Sequence, residues 1–259
     1  MKVGLNLFSI RNLIQTEEDF LKTALKLKEM GYSYLQYSGA DFKPERIKKV
    51  SEESGLPVYL THVPMERIIR DTEKLMEEHA VFGCKNIGLG MMPLSVLAEK
   101  DSCKKTVEEL DLAGEKMKKN GYKLFYHHHH FEFFKNDGVH TAFEYILENS
   151  RHIHFTADTY WLQYGGVDVL DFIAKLKGRV ECVHLKDYRI ACEKNEDGNF
   201  QMQPKFAPVG DGMMNFKKIV KKFKEIGTEY FFVEQDDAAD YADPLKEVAR
   251  SAEYIKKEL

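Results

Sequence analysis

The stretch LFYHHHHFEFF, residues 124–134, sets four consecutive histidines and a glutamate among aromatics in the middle of the chain. Such a run can be an expression tag, a metal tract or part of an active site. A tag sits at a terminus, and these aromatic flanks have strand character, which excludes the first. Alternate side chains of a strand point to opposite faces, so four adjacent imidazoles cannot all meet one ion. Tyr126, His128, His130 and Glu132 share one parity, His127 and His129 the other. Other polar groups close short apolar runs: Asn6, Gln36, His62, Asp158, His184 with Lys186 and Asp187, and Glu234 with Gln235 and Asp236. Carboxylates and imidazoles crowded together repel or lose hydration unless something compensates, and a divalent cation is the economical compensation. Such oxygen and nitrogen donors suit Mn, Mg, Co or Zn and leave positions open for substrate oxygens. Taken singly, each residue also fits a helix cap, a surface ion pair or a satisfied core group.

The elements that would carry these residues alternate regularly. Strand patterns at 3–8, 34–37, 58–61, 86–89, 123–128, 153–157, 180–185 and 230–233 are each followed by a helical pattern. The first helix shows the signals of both ends, a Thr16-x-x-Asp19 cap and Gly31, with Phe20, Ala24, Leu27 and Met30 at helical spacing. Longer helices are expected over about 95–120, 216–226 and 244–257. Eight strand–helix pairs predict an α/β fold, a single-domain (β/α)8 TIM barrel over residues 1–259. No Gly-x-Gly-x-x-Gly follows the first strand, which counts against a doubly wound open sheet. In a barrel, chemistry gathers where strands end, and the polar residues above lie there. The long connection at about 189–213, after the seventh strand, reads as a lid or substrate-contacting loop.

Composition narrows the partners. A net charge near −4 gives no reason to expect nucleic acid. No run of apolar residues is long enough to span a membrane, and the first dozen residues do not read as a secretory signal. Cys84, Cys103, Cys182 and Cys192 lack C-x-x-C spacing, so reduced thiols in a cytoplasmic protein are expected. A small-molecule ligand fits best, and a homo-oligomeric assembly stays open.

The segments YHHHHFEF, DTYWLQYGG, GRVECVHLKD and FFVEQD, in this order, resemble the sugar phosphate isomerase/epimerase group of the xylose isomerase-like TIM barrels. GLNLFSIR, THVPME and VGDGMMNF extend the resemblance over nearly the whole chain. It implies one divalent metal ion (Mn, Mg, Co or Zn) held by Glu132, Asp158, His184 and Glu234, with His127 or His129 as alternative ligands from the fifth strand. The chemistry implied is proton transfer next to the carbonyl of a keto-sugar through an enediolate, that is, an isomerase or epimerase. Glu132 and Glu234 would be the paired acid/base groups and His129 a further base. His62, His127 and Lys186 would orient substrate.

Three positions depart from the group's pattern. His128 stands where Asn is expected, Gln36 where Glu is common, and Trp161 where a His often follows the sixth-strand Asp by three positions. Trp161 suggests a stacking surface for a sugar ring. It also speaks against the endonuclease IV-type repair enzymes, which need further histidines. A keto-sugar or keto-inositol dehydratase uses the same logic and is the enzymatic alternative. A non-catalytic sugar-binding barrel or accessory subunit is the alternative of another class.

Overall fold

The computed structural model of the chain describes residues 1–135 and 137–259. Eight parallel strands close into a barrel: β1 Gly4–Asn6, β2 Tyr34–Tyr37, β3 Val58–His62, β4 Asn86–Leu89, β5 Lys123–His127, β6 Ile153–Asp158, β7 Val180–Leu185 and β10 Tyr230–Val233. The order around the barrel is β1-β10-β7-β6-β5-β4-β3-β2. The helices are α1 Glu17–Met30, α2 Pro44–Ser54, α3 Met65–Arg70, α4 Thr72–Val81, α5 Leu94–Ala98, α6 Lys100–Lys119, α7 Ala142–Asn149, α8 Thr159–Tyr164, α9 Val169–Lys175, α10 Phe216–Glu225 and α11 Pro244–Glu258. The capping expected of α1 is present: the Thr16 hydroxyl accepts from the Asp19 amide, and Gly31 turns left-handed at φ 99°. Phe20, Ala24 and Leu27 are buried beneath it. None of the helices described is long and apolar enough to cross a membrane.

Side-chain alternation gives the barrel a two-level interior. Tyr34, Leu60, Phe125, Cys182 and Phe232 form a cluster inside it. Two residues further along the same strands come Gln36, His62, His127, His184 and Glu234, at the mouth. A period of two therefore turns an apolar plug into a polar site on top of it. β1 supplies Gly4 at the plug level because there is no room for more. A Cβ there would lie 2.3 Å from Tyr34 and 2.7 Å from Phe232.

Three sequence expectations change. The first strand stops at Asn6, because its side-chain oxygen caps a 3-10 run over Leu7–Leu13 by accepting from the Phe8 amide. The single long helix expected at 95–120 is two, α5 and α6, parted at Glu99, whose backbone is extended. The long connection at 189–213 holds an antiparallel hairpin, β8 Asp187–Lys194 with β9 Phe200–Ala207. Tyr188 and Phe206 pack its base against Tyr160 and Trp161 of α8. Asp187 then holds the chain that follows: its buried carboxylate accepts from the amides of Tyr188, Gly210, Gly212 and Met214 at 2.9–3.1 Å. No disulfide joins the four cysteines, of which Cys84, Cys103 and Cys182 are buried and Cys192 is exposed.

Overfilling the plug should be costly. Gly4→Ala is expected to lower the unfolding free energy by about 1–3 kcal/mol, the usual cost of forcing an extra carbon into a packed core. Urea unfolding followed by circular dichroism measures it, and an unchanged midpoint would contradict the packing described.

Candidate metal and substrate site

Four side chains at the barrel mouth meet in one place. His127, Asp158, His184 and Glu234 each offer one ligand atom, and these atoms lie within 4.8 Å of one another. All four residues are at most 4% exposed by side chain. The atoms are His127 Nε2, Asp158 Oδ2, His184 Nδ1 and Glu234 Oε2, and none makes a properly directed hydrogen bond. Their close approaches are to one another, such as His184 Nδ1 to Glu234 Oε2 at 2.7 Å, and to Lys186 Nζ.

In each of the four residues the other polar atom is held. His127 Nδ1 lies 3.1 Å from the Gly90 carbonyl, which can only accept, so Nδ1 carries the proton and Nε2 a free lone pair. His184 Nε2 lies 2.7 Å from Gln36 Oε1, which in the same way leaves Nδ1 unprotonated. Asp158 Oδ1 accepts from the Trp161 amide at 2.9 Å, capping α8. Glu234 Oε1 accepts from Asn6 Nδ2 at 2.5 Å. Lone pairs fixed in this way are what a metal ligand needs, because the outer partner sets tautomer and ring orientation. The donor set of two imidazoles and two carboxylates fits a divalent cation.

The electrostatics agree with a cation-seeking site. Burial alone would raise the Glu234 carboxyl, but His184 when its ring is protonated, and the Lys186 ammonium beside it, hold it well below the ordinary range. Burial would lower the Lys186 ammonium, yet Asp158, Asp236 and Glu234 together keep it raised. Its Nζ lies 3.2, 3.1 and 3.0 Å from those three carboxylates and 5.0 Å from the Trp161 ring centre. Desolvation drives His62 down to about 3 and lowers His129 as well, so both imidazoles are neutral near pH 7.

The residues singled out in the sequence fall into three places. Asp158, His184, Glu234 and His127 come together as above. His62, His129 and Lys186 line a cavity of 630 Å³ over them, together with His127 and Glu234. Glu132 and Trp161 are not brought into the four-atom set. Glu132 is buried in a 3-10 turn at 131–133, where one oxygen accepts from the Tyr126 hydroxyl and the other from the His129 amide at 2.8 Å. Burial raises its carboxyl, partly offset by those two donors. Both of its oxygens are engaged there, and the fifth strand contributes His127 to the four-atom set. Trp161 stacks on the His130 ring at 5.1 Å and has the Lys186 ammonium over its own.

The motif around the four histidines thus has an inner and an outer side. His127 faces the mouth, Tyr126 and His128 face the helices, and His128 Nε2 accepts from the Asp158 amide at 3.1 Å. Gln36, noted in the sequence as a missing acid, turns out to link two rings: its Nε2 donates to His62 Nε2 at 2.9 Å while its oxygen holds His184. Asn6 was visible by type at the end of its strand. The Gly90 carbonyl was not, since a backbone acceptor leaves no trace in residue type.

Comparisons with known proteins follow this geometry. The family profile described as xylose isomerase-like TIM barrel matches residues 25–258. An inosose dehydratase of Clostridium perfringens is 27% identical over 276 residues, covering 96% of this chain and 84% of its own. A sugar phosphate isomerase/epimerase from Parabacteroides distasonis superposes with a TM-score of 0.81 at 23% identity, over 99% of this chain and 94% of that one. A xylose isomerase-like TIM barrel protein from Mycobacterium smegmatis, solved in complex with magnesium, gives 0.69 at 16% identity over 99% and 95%.

The two fifth-strand candidates are separable by titration. His127→Ala should weaken Mn binding by more than about 100-fold, whereas Glu132→Gln, at a residue that hydrogen-bonds none of the four ligand residues, should cost less than the roughly 10–100-fold of a partner that holds a ligand directly. Calorimetric titration of the metal-stripped proteins reads both. Full affinity in His127→Ala would remove His127 from the ligand set.

Proposed function

Because the chain belongs to the xylose isomerase-like TIM barrel family, we propose that it is a divalent-metal-dependent isomerase or epimerase. It would move a proton next to the carbonyl of a keto-sugar or sugar derivative. The observation that carries the reading is the convergence of four buried atoms without hydrogen bonds, each on a side chain whose other polar atom is tied down. His127, Asp158, His184 and Glu234 would hold the ion. When bound, a divalent cation polarises carbonyl and hydroxyl oxygens and stabilises negative charge that develops on them.

The chain's own groups would then handle the proton. Glu234 is held ionised by the Lys186 ammonium beside it, so a carboxylate lone pair not given to the ion would be ready to accept the proton. His129 follows β5, three places from β10 around the ring, and so reaches the substrate from a well-separated direction. Its Nδ1 is buried without a partner, and desolvation keeps the ring neutral. Two exchange atoms on separate sides of a substrate are what inversion of a carbon centre requires. His62 and the Lys186 ammonium would orient hydroxyls. Glu132 would act through His129, by holding the amide of that residue and thereby the turn that carries its ring.

A second reading, dehydration of a keto-inositol or keto-sugar, is favoured by one observation. The relative that aligns over nearly the whole chain is an inosose dehydratase. Abstraction of the same proton would be followed by loss of a hydroxyl as water, with Lys186 Nζ as the proton donor at the departing oxygen. The choice between the readings lies in what happens after the first proton moves.

Proton NMR in D2O distinguishes them, with Mn-loaded protein and a panel of keto-sugars and keto-inositols. Deuterium at the carbon next to the carbonyl with an intact skeleton supports the isomerase; loss of water supports the lyase. Glu234→Gln should slow exchange by at least about 100-fold. Exchange with none of the substrates would count against both and favour a sugar-binding barrel.

A further inference from the structure

We infer that the site takes an uncharged sugar derivative with an apolar far end, a glycoside carrying an alkyl or aryl aglycone, rather than a sugar phosphate. The inference rests on the reaction assigned above and deepens it by naming the substrate class. It follows from how the 630 Å³ cavity is divided. Its floor is polar: Glu234, His127, His62, His129, Lys186 and Asp236. Apart from Ser38, whose hydroxyl donates to Asn6, the rest of its wall is apolar or glycine, formed chiefly by Phe8 from the 3-10 run after β1, by Val63, Pro64 and Met65 after β3, and by Met91 and Pro93 after β4. Phe8 and Met91 stay 36% and 48% exposed at the rim. Apolar side chains left open beside a polar floor mark a surface that a ligand covers.

Charge decides against phosphate. Among the described residues that line this cavity, Lys186 is the one lysine or arginine. Its ammonium already lies within 3.2 Å of three carboxylates, so it has no charge to spare for a phosphoryl group. Arg11 lies close by but is committed elsewhere. Its Nη1 donates to the carbonyls of Phe8 at 3.1 Å and Asp236 at 2.8 Å, its Nη2 lies 3.6 Å from Asp240, and its guanidinium caps the Phe8 ring at 4.5 Å. A phosphate at the apolar end would lose its hydration with no cation or guanidinium fork to replace it, and the two helices that begin at this wall, α3 at Met65 and α5 at Leu94, are only 6 and 5 residues long and carry little dipole. A sugar ring over the polar floor, with its hydroxyls toward His62, His129 and Lys186, leaves its far substituent against Phe8, Met65 and Met91. Removing an alkyl or aryl group from water there is favourable without any hydrogen bond.

Matched probes test this on the Mn-loaded full chain by isothermal titration calorimetry: phenyl β-D-glucopyranoside, methyl β-D-glucopyranoside and glucose 6-phosphate. The phenyl glycoside is expected to bind at least tenfold tighter than the methyl glycoside, and glucose 6-phosphate no tighter than the methyl glycoside. Met91→Asp, at an exposed rim position, should cut the phenyl preference to less than threefold and leave methyl glycoside binding within twofold. Phe8→Ala should act in the same direction. The proposal is overturned if the phenyl probe gives no measurable heat, if it binds no tighter than the methyl probe, if the phosphate binds tightest, or if Met91→Asp keeps the full preference. Deuterium exchange on keto-sugars in the unsubstituted protein keeps the two readings apart. Exchange with no phenyl preference removes the aglycone site alone, whereas a phenyl preference with no exchange removes the reaction alone.

Discussion

Two carboxylates and two imidazole lone pairs, buried at the same point of a barrel mouth with no hydrogen bonds to satisfy them, are the constraint around which the rest is arranged. Left alone, such a set would be expelled or protonated, because burial penalises charge and unpaired lone pairs alike. The structure keeps it by immobilising each residue from behind. A backbone carbonyl, a backbone amide, a glutamine and an asparagine each hold one atom and leave the other pointing inward. These outer partners come from β1, β2, the residues after β4 and α8, so the site closes only when the barrel closes. The aromatic plug one level down gives those strands a common base and keeps water from entering below.

Much of this architecture is legible in the sequence because the strand period is two and the helix signals are strong. All eight barrel strands lie where their apolar runs are, and α1 starts and stops at its cap and its glycine. The β8–β9 hairpin was not legible. Its strands include Arg189, Lys194, Gln201, Gln203 and Lys205, a composition that reads as loop unless one knows that Ile190, Cys192, Met202 and Pro204 share a face. That face is set by pairing between segments, which no local pattern reports. Similarly, the α5–α6 break at Glu99 has no glycine or proline to mark it.

The site shows the same division. Asp158, His184 and Glu234 were visible because each lies within one residue of a strand end, where alternation still fixes the direction of a side chain. Glu132 lies five residues beyond the end of β5, inside a turn, where alternation no longer applies. Its spacing from Tyr126 has a different cause: six residues bring the chain around so that the carboxylate meets the Tyr126 hydroxyl and the His129 amide. A buried glutamate beside a histidine run looks like a ligand in one dimension. In three dimensions it is the clasp that shapes the run. His128, where an asparagine was expected, fills a comparable role, accepting from the Asp158 amide from the outer side of the barrel.

Having His127 rather than a carboxylate in the four-atom set also bears on the charge of the whole mouth. Asp158, Glu234 and Asp236 surround one ammonium, that of Lys186. Three carboxylates and one ammonium leave two negative charges, which a divalent cation cancels. Had Glu132 supplied the ligand, a third uncompensated charge would have sat in the same low-dielectric space, where repulsion between carboxylates is poorly screened. A mouth that a divalent ion would bring to neutrality would then have no residual field with which to draw in a charged substrate. Affinity must then come from hydroxyl contacts on the floor and from apolar area on the wall. In this way an imidazole at one strand end would connect an ion held by the four-atom set to the chemical character of what can bind above it.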